Sequence, residues 1–353
     1  MRARGRSPCL TEPRFLWPYR GHMRENSFAV FSECGQPEEV LQLASAPVRE
    51  AERGEVTVRM LAAPINPADI NFIQGVYGLK PELPNSRVGL EGCGIVVASE
   101  AEGFSAGDQV IMLNGVGSWS RFLTAPADRF LKLGVKVDPT QAAMLKVNPL
   151  TAYRMLTGYV ALKPGDWIVQ NAANSGVGRC IVQIAHMLGV HTINFVRRPD
   201  ALREELTALG ADVVVGEDDE DVVKKTLASL DGARPVLASN AVGGDSALRL
   251  MDMLAPGGSM VTYGAMSKKS IKVPNGFLIF KGLQLKGLWV TQWLKRASRA
   301  EIEEAYARLA GWMAEGKLVQ AVDSEYRIEQ VREAAARAQQ EYRHGKIVLR
   351  LGE

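Results

Sequence analysis

The stretch Lys163–Arg198, KPGDWIVQNAANSGVGRCIVQIAHMLGVHTINFVRR, constrains the fold more than any other part of the 353-residue chain. Pro164, Gly165 and Asp166 form a turn signal ahead of the short apolar run Trp167–Gln170. Asn171–Gly178 then supplies small, turn-prone residues. Val177, Cys180, Ile181, Ile184, Ala185 and Leu188 follow at helical spacing and make one apolar face. Gly189 ends that helix, and His191–Val196 is rich in β-branched residues. Strand, glycine turn, helix and strand in this order predict a parallel βαβ unit with a right-handed crossover.

The turn is where chemistry attaches. Gly176 and Gly178 let the backbone approach a bound group, and the helix behind them points its unpaired N–H groups and positive dipole end outward, which suits a pyrophosphate. The match to G-x-G-x-x-G is partial, because Ala173 and Ser175 stand where the first two glycines belong. A tight strand-to-helix connection with no ligand is the competing reading. About twenty residues on, a dinucleotide site places an acid on the ribose hydroxyl. Arg197 and Arg198 occupy that place instead. They suit a 2′-phosphate and point to NADPH over NADH; a solvated arginine pair at a strand end is the alternative.

A chain of this length suits two domains rather than one core. The net charge of +3 gives no ground for a nucleic-acid or membrane partner, and no apolar run is long enough to span a bilayer. Cys9, Cys34, Cys93 and Cys180 are scattered without a C-x-x-C, and His22, His186, His191 and His344 have no metal-ligand spacing. No metal site is expected, and a reducing compartment is. Met1–His22 carries five arginines and three helix-breaking prolines. It reads as a disordered extension or an upstream start before Met23, which leaves the protein cytoplasmic. An arginine-rich transit peptide to the mitochondrial matrix is the alternative.

Between residues 23 and 150 short strands predominate: Asn26–Phe31, Glu55–Leu61, a bent Val88–Ala98, Gln109–Met112 and Trp119–Ala125, with a short helix from about Pro67 capped by Asn66. The region between the first two strands reads as loop. Residues 151–290 alternate strand and helix: Ala201–Leu209, Val213–Val215, Pro235–Ala238, Ser246–Leu254, Ser259–Tyr263 and Gln284–Val290 continue the opening βαβ into a doubly wound sheet. The tail, 291–353, holds helices Arg299–Glu315 and Ile328–Glu341 and the strand Lys346–Leu351, and is expected to pack back on the first domain. The cleft between the domains is the default site.

Candidate chemistry is sparse when residues are read one by one. Tyr77, in a glycine-rich loop, is a proton donor if it faces a cleft, or else a half-buried aromatic with its hydroxyl in water. Asn148, ahead of Pro149, either orients a ring or caps the following helix from an extended or turn backbone. Trp289 and Trp293 line an apolar channel or join the core; Lys346 reads as a solvated strand residue and Cys93 as a small core residue.

Taken together, Met60–Pro84 (MLAAPINPADINFIQGVYGLKPELP), Lys146–Leu156 (KVNPLTAYRML), Ile168–Gly178, Met260–Met266 (MVTYGAM) and Lys286–Trp293 (KGLWVTQW) resemble the mitochondrial-type trans-2-enoyl thioester reductases of the medium-chain dehydrogenase/reductase superfamily. The resemblance runs from about residue 24 to the C-terminus. It implies an α/β architecture: a GroES-like β-rich catalytic domain completed by the tail, and a Rossmann doubly wound NADPH-binding domain. It implies Tyr77 as proton donor, Asn148 beside the nicotinamide, and Asn174, Ser175, Gly176 and Val177 as the pyrophosphate turn. Arg197 would hold the 2′-phosphate, with Arg198 beside it although the family pattern R-D-R is here R-R-P. Tyr263, Gly264, Ala265 and Met266, with Ala265 in place of a glycine, and Leu288, Trp289 and Val290 would flank the cofactor; Lys346 matches a lysine associated with the cofactor phosphate. Zinc-dependent relatives carry a histidine where Leu90 stands in GLEGCG, and their four-cysteine lobe is missing.

The implied activity is NADPH-dependent reduction of an enoyl thioester of CoA or acyl carrier protein in fatty acid synthesis, by a homodimer. A quinone or alkenal reductase of the same superfamily is the second reading, and an NADPH-binding interaction protein the third.

Overall fold

The computed structural model describes residues 25–219, 221–341 and 343–352. Met1–His22 lies outside the described residues, and with it both readings of that stretch. The first part of the chain contributes β1 (Glu25–Phe31), β2 (Gln42–Pro47), β3 (Glu55–Ile65), β4 (Ser86–Arg87), β5 (Cys93–Ser99), β6 (Gln109–Met112), β7 (Phe122–Pro126) and β8 (Phe130–Lys132). The middle contributes β9 (Trp167–Gln170), β10 (His191–Val196), β11 (Val213–Gly216), β12 (Leu237–Asn240), β13 (Ser259–Thr262) and β14 (Gln284–Gly287); the tail adds β15 (Val322–Arg327) and β16 (Lys346–Arg350).

The middle strands form one parallel sheet in the order β11-β10-β9-β12-β13-β14. This is a doubly wound order, with its switch point between β9 and β12, where such sheets open a crevice for a ligand. The opening βαβ is present as read: β9, the helix Gly176–Met187, then β10. β9, β10 and β12 are buried nearly throughout, as strands covered by helices on both faces must be.

The first part and the tail share a sheet in the order β15-β16-β3-β5-β6-β8, with β7 on β3. β16 runs antiparallel to β3, pairing Ile347 with Ile65 and Arg350 with Ala62, so the tail adds a strand to the β-rich sheet. The helix Val331–Gln339 buries Val331, Ala334, Ala335 and Ala338 in the same core. Another core is continuous from Ala62, Cys93 and Ile111 of this sheet to Ile168, Cys180 and Ile181 under the nucleotide-type sheet. The floor between the two sheets is therefore packed, and their relative placement is set by close contact.

Several elements depart from the sequence reading. Gln42–Pro47, read as loop, is a strand because it pairs with β1, Phe28 facing Ala44. The bent strand expected over Val88–Ala98 begins only at Cys93. Gly89 has φ +100°, and a Cβ there would meet Ser118 and Trp119 atoms within 2.7 Å, so the glycine run turns before it extends. Asn148 is not in extended or turn geometry: it opens the helix Asn148–Gly158, and Pro149 sits where its missing N–H is not needed. The strand expected over Gln284–Val290 stops at Gly287, because Val290 and Leu294 lie one turn apart and bury together as the face of a helix, Val290–Arg296.

Candidate active site

The turn after β9 is built for close backbone approach. Ser175 caps the Gly176–Met187 helix, its hydroxyl accepting from the Gly178 N–H at 3.1 Å. A Cβ on Gly178 would lie 2.6 Å from the carbonyl oxygens of Ala172 and Ala173; one on Gly176 would lie 2.4 Å from Asn148 Nδ2 and 3.3 Å from Lys346 Cε. Gly178 faces backbone and admits no side chain, whereas a methyl at Gly176 would have to displace the Asn148 amide. Helical geometry turns the Gly176 and Val177 N–H groups out of the first turn, where an anion is favoured. Asn174 is exposed at the rim, its carbonyl held by Arg179 Nε at 3.0 Å, while Val177 packs against the core. The Tyr263 hydroxyl is shielded from solvent beside Ser175, and burial pushes its pKa up. A cradle that a methyl would fill and a helix N-terminus fit a dinucleotide pyrophosphate.

Arg197 and Arg198 stand exposed at the end of β10. Arg197 reaches Glu341 at 3.5 Å with both side chains largely in solvent, a contact too weak to occupy the guanidinium. Gly264, Ala265 and Met266 continue from β13 along the crevice, Met266 exposed. Leu288 is half-buried, Val290 buried, and Trp289 is 41% exposed at the end of β14.

Tyr77 meets Trp289. The indole Nε1–H donates to the Tyr77 hydroxyl at 3.1 Å, and the rings meet edge to face with centroids 6.1 Å apart. Gly78 lets the loop lie against the same indole, a Cβ there falling 3.2 Å from its ring. Trp293 behaves differently: it is partly buried on the core with the Arg154 guanidinium 4.9 Å over its ring.

Asn148 and Lys346 come together beneath Gly176, and the structure excludes the helix-cap reading of the first and the solvated reading of the second. Asn148 does not cap its helix; its amide donates to Gln320 Oε1 at 3.0 Å. Lys346 is not solvated: it is buried, and its ammonium donates to Asn66 Oδ1. Asn66 also donates to Glu91 Oε1 at 2.6 Å, and Glu91 Oε2 accepts the Val147 N–H at 2.9 Å. Asp69 accepts from the N–H groups of Asn66 and Leu90 at 2.8 and 2.9 Å, and Lys146 donates to the Leu90 carbonyl. Burial lifts Asp69 to about 7, lowers Lys146 to about 8, raises Glu91 and lowers Lys346. Sequence reasoning missed Glu91, Asp69, Lys146 and Gln320 as parts of the site. The available signal was a carboxylate inside a glycine and β-branched run, Gly89–Val97, where a charge needs a partner. Cys93 and Cys180 are buried thiols pushed up to about 12, which leaves them inert. Among the described residues no three His, Cys, Asp or Glu side chains group as metal ligands.

A doubly wound dinucleotide sheet packed on a β-rich unit that its own C-terminal strand completes is the build of a medium-chain dehydrogenase/reductase. Family profiles described as "Alcohol dehydrogenase GroES-like domain" and "Zinc-binding dehydrogenase" match residues 52–135 and 176–311. The chain is 41% identical to the mitochondrial enoyl-[acyl-carrier-protein] reductase of Rattus norvegicus over 90% of its own length and 89% of the relative's, and 39% identical to that of Homo sapiens over 91% and 87%. The solved complex of Etr1p with NADP and crotonyl-CoA superposes with a TM-score of 0.84 at 32% identity, covering 93% of this chain and all of that one. The Etr1p/Etr2p heterodimer from Candida tropicalis gives the same values. A putative NADPH:quinone reductase from Bacillus thuringiensis also reaches 0.84, at 26% identity over 93% and 99%. The chain belongs to the mitochondrial-type enoyl thioester reductase family.

Proposed function

We propose that this chain reduces trans-2-enoyl thioesters to acyl thioesters with NADPH, and that Tyr77 is the proton donor. The observation that carries the reading is the hydrogen bond from Trp289 to the Tyr77 hydroxyl. An indole N–H can only donate, so it occupies a lone pair of the hydroxyl and leaves the phenolic proton free for a substrate atom. The same bond ties the loop of the β-rich unit to the segment after β14.

NADPH, the cofactor of this reaction, would be held by the Gly176 and Val177 N–H groups with Asn174 and Ser175 beside them, by Arg197 and Arg198 at the 2′-phosphate, and by Tyr263–Met266 and Leu288–Val290 along the crevice. Asn148 and Lys346 lie beneath the turn. When bound, NADPH supplies a hydride to Cβ of the enoyl group. The rest is the work of side chains: Tyr77 gives its proton to Cα, its dipole steadies the charge that builds on the conjugated thioester, and Trp289 fixes its orientation. Holding the enoyl carbon between Tyr77 and the nucleotide turn is itself a large part of the acceleration.

The relatives' names support acyl carrier protein as the natural carrier, and the Etr1p complex supports CoA as an accepted one. They also support a mitochondrial location in place of the cytoplasmic expectation; no helix among the described residues is long and apolar enough to cross a membrane. A homodimer is supported by β14, an edge strand exposed along its whole length, beside Leu278, Ile279 and Phe280, which are 46%, 70% and 86% exposed. The quinone-reductase reading is kept by the Bacillus thuringiensis structure and requires no proton donor at Tyr77. NADPH oxidation measured with crotonyl and longer enoyl thioesters of CoA and of acyl carrier protein, beside a quinone, separates the two. Turnover of the thioesters at well above the quinone rate is expected; turnover of quinone alone would overturn the proposal.

A further inference from the structure

We propose that Glu91 is a positioning residue for this reduction: its two carboxylate oxygens hold, one each, the segment that carries Tyr77 and the segment that carries Asn148. The inference rests on the reading of the reaction given above.

The geometry is direct. Glu91 Oε1 accepts from Asn66 Nδ2 at 2.6 Å, and Asn66 is the N-cap of the helix Pro67–Ile73. The carbonyl of Asn71 in that helix accepts the backbone N–H of Tyr77 at 3.1 Å, so the tyrosine hangs from the far end of the same short helix. Glu91 Oε2 accepts the N–H of Val147 at 2.9 Å, immediately before Asn148, whose amide lies against Gly176. One buried carboxylate therefore measures the distance between the proton donor and the nucleotide turn. Its own backbone is fixed by the Ser118 hydroxyl, which donates to the Glu91 carbonyl at 2.6 Å.

The side-chain types are specified at each step. Lys346 donates to Asn66 Oδ1, so the Asn66 amide cannot rotate without aiming its NH2 at an ammonium. Glu91 thus faces two donors and must accept from both. A core does not require this: a buried carboxylate with two buried lysines near it is costly unless every group is paired, and an apolar cluster of the same volume would serve packing as well. What the ionic arrangement adds is a single permitted geometry between two loops of the active site.

The test follows from the donor count. Glu91→Gln keeps shape and one acceptor but turns an NH2 onto either Asn66 Nδ2 or the Val147 N–H. The segment whose hydrogen bond is lost then shifts by a fraction of an ångström to an ångström, a displacement that can lower a rate by about a hundredfold. We expect kcat for crotonyl-CoA to fall at least about tenfold, with KM and the NADPH Kd unchanged within about threefold, the split that marks a loss confined to the transition state. The solvent deuterium isotope effect on kcat should rise as proton transfer becomes limiting. Adding Asn66→Asp restores the match: the new carboxylate accepts both from the Gln amide and from Lys346, and the buried charge is conserved. That double variant should recover most of kcat and the wild-type isotope effect. Wild type and Tyr77→Phe, assayed alongside, test the reaction and the donor independently. Wild-type kcat in Glu91→Gln would overturn the proposal, as would a loss that appears only in KM. A folded, NADPH-binding double variant without recovered kcat would do the same, and failure of both variants to fold would make Glu91 a residue of the fold alone.

Discussion

Gly176→Ala should weaken NADPH binding without unfolding the protein. The added Cβ would sit 2.4 Å from Asn148 Nδ2 and 3.3 Å from Lys346 Cε. The first distance is far below any tolerated contact, so Asn148 must yield by an ångström or so. Its amide donates to Gln320 Oε1 at 3.0 Å in a buried setting, and losing that bond costs about 1–3 kcal/mol. Gly176 lies in helical backbone with no positive φ, so alanine is conformationally welcome there and returns up to about 1 kcal/mol of helix propensity. The fold therefore loses little. Pyrophosphate bound over the turn must accommodate the displaced amide, and a penalty of about 1–3 kcal/mol corresponds to a Kd raised about 5- to 150-fold. Fluorescence titration with NADPH measures Kd and a thermal melt measures the fold. Adding Asn148→Ala removes the obstacle and should recover part of the affinity. An unchanged Kd in Gly176→Ala would refute the placement of the pyrophosphate over this turn.

Arg197→Ala should lower the NADPH-over-NADH ratio of kcat/KM by about 10- to 150-fold, the worth of one charge-assisted phosphate contact; an unchanged ratio removes the basis for the 2′-phosphate assignment. Asp69, whose ordinary value is 3.8, is lifted to about 7 mainly by burial. The folded state therefore keeps a proton that the unfolded chain has lost, so this stabilising contribution is complete below pH 3.8 and is lost as pH rises through about 7. The fall in stability between about pH 5 and 7 should be shallower in Asp69→Asn by up to about 1.4 kcal/mol per pH unit, measured by urea melts; equal slopes would contradict it. Phe280→Glu, at a side chain 86% exposed beside the β14 edge, should shift a dimer toward monomer in light scattering at micromolar concentration; an unaffected dimer would place the interface elsewhere.

The architecture was legible because its signals are local and periodic: the glycine turn before Val177–Leu188, and the change from short strands to strand–helix alternation after Gly158, survive any tertiary context. Boundaries failed where context decided. Gln42–Pro47 has no alternating apolar face and becomes a strand only by pairing with β1. Val290 is β-branched and extends a strand pattern, yet its burial with Leu294 makes it helical. At the site, the glycine-rich loop singled out Tyr77 but left donor and half-buried aromatic open, and only the resemblance chose between them, since nothing in its own neighbourhood announces that Trp289, 212 positions away, will hold its hydroxyl. The buried cluster was the least legible part. Lys346 and Lys146 look like surface lysines until the fold encloses them with Glu91 and Asp69, and no spacing rule links four residues from four distant segments.

The most direct measurement is steady-state turnover by Tyr77→Phe. The substitution keeps the ring against Trp289 and removes one oxygen; the indole N–H, on a side chain 41% exposed, finds water instead. If Tyr77 protonates Cα, kcat for crotonyl-CoA falls by at least about a hundredfold, while KM and the NADPH Kd hold within about threefold. Any quinone reduction should survive, because it needs no proton at that carbon. Wild-type thioester turnover by Tyr77→Phe would show that the tyrosine only packs against Trp289, and the quinone-reductase reading would take the place of this one.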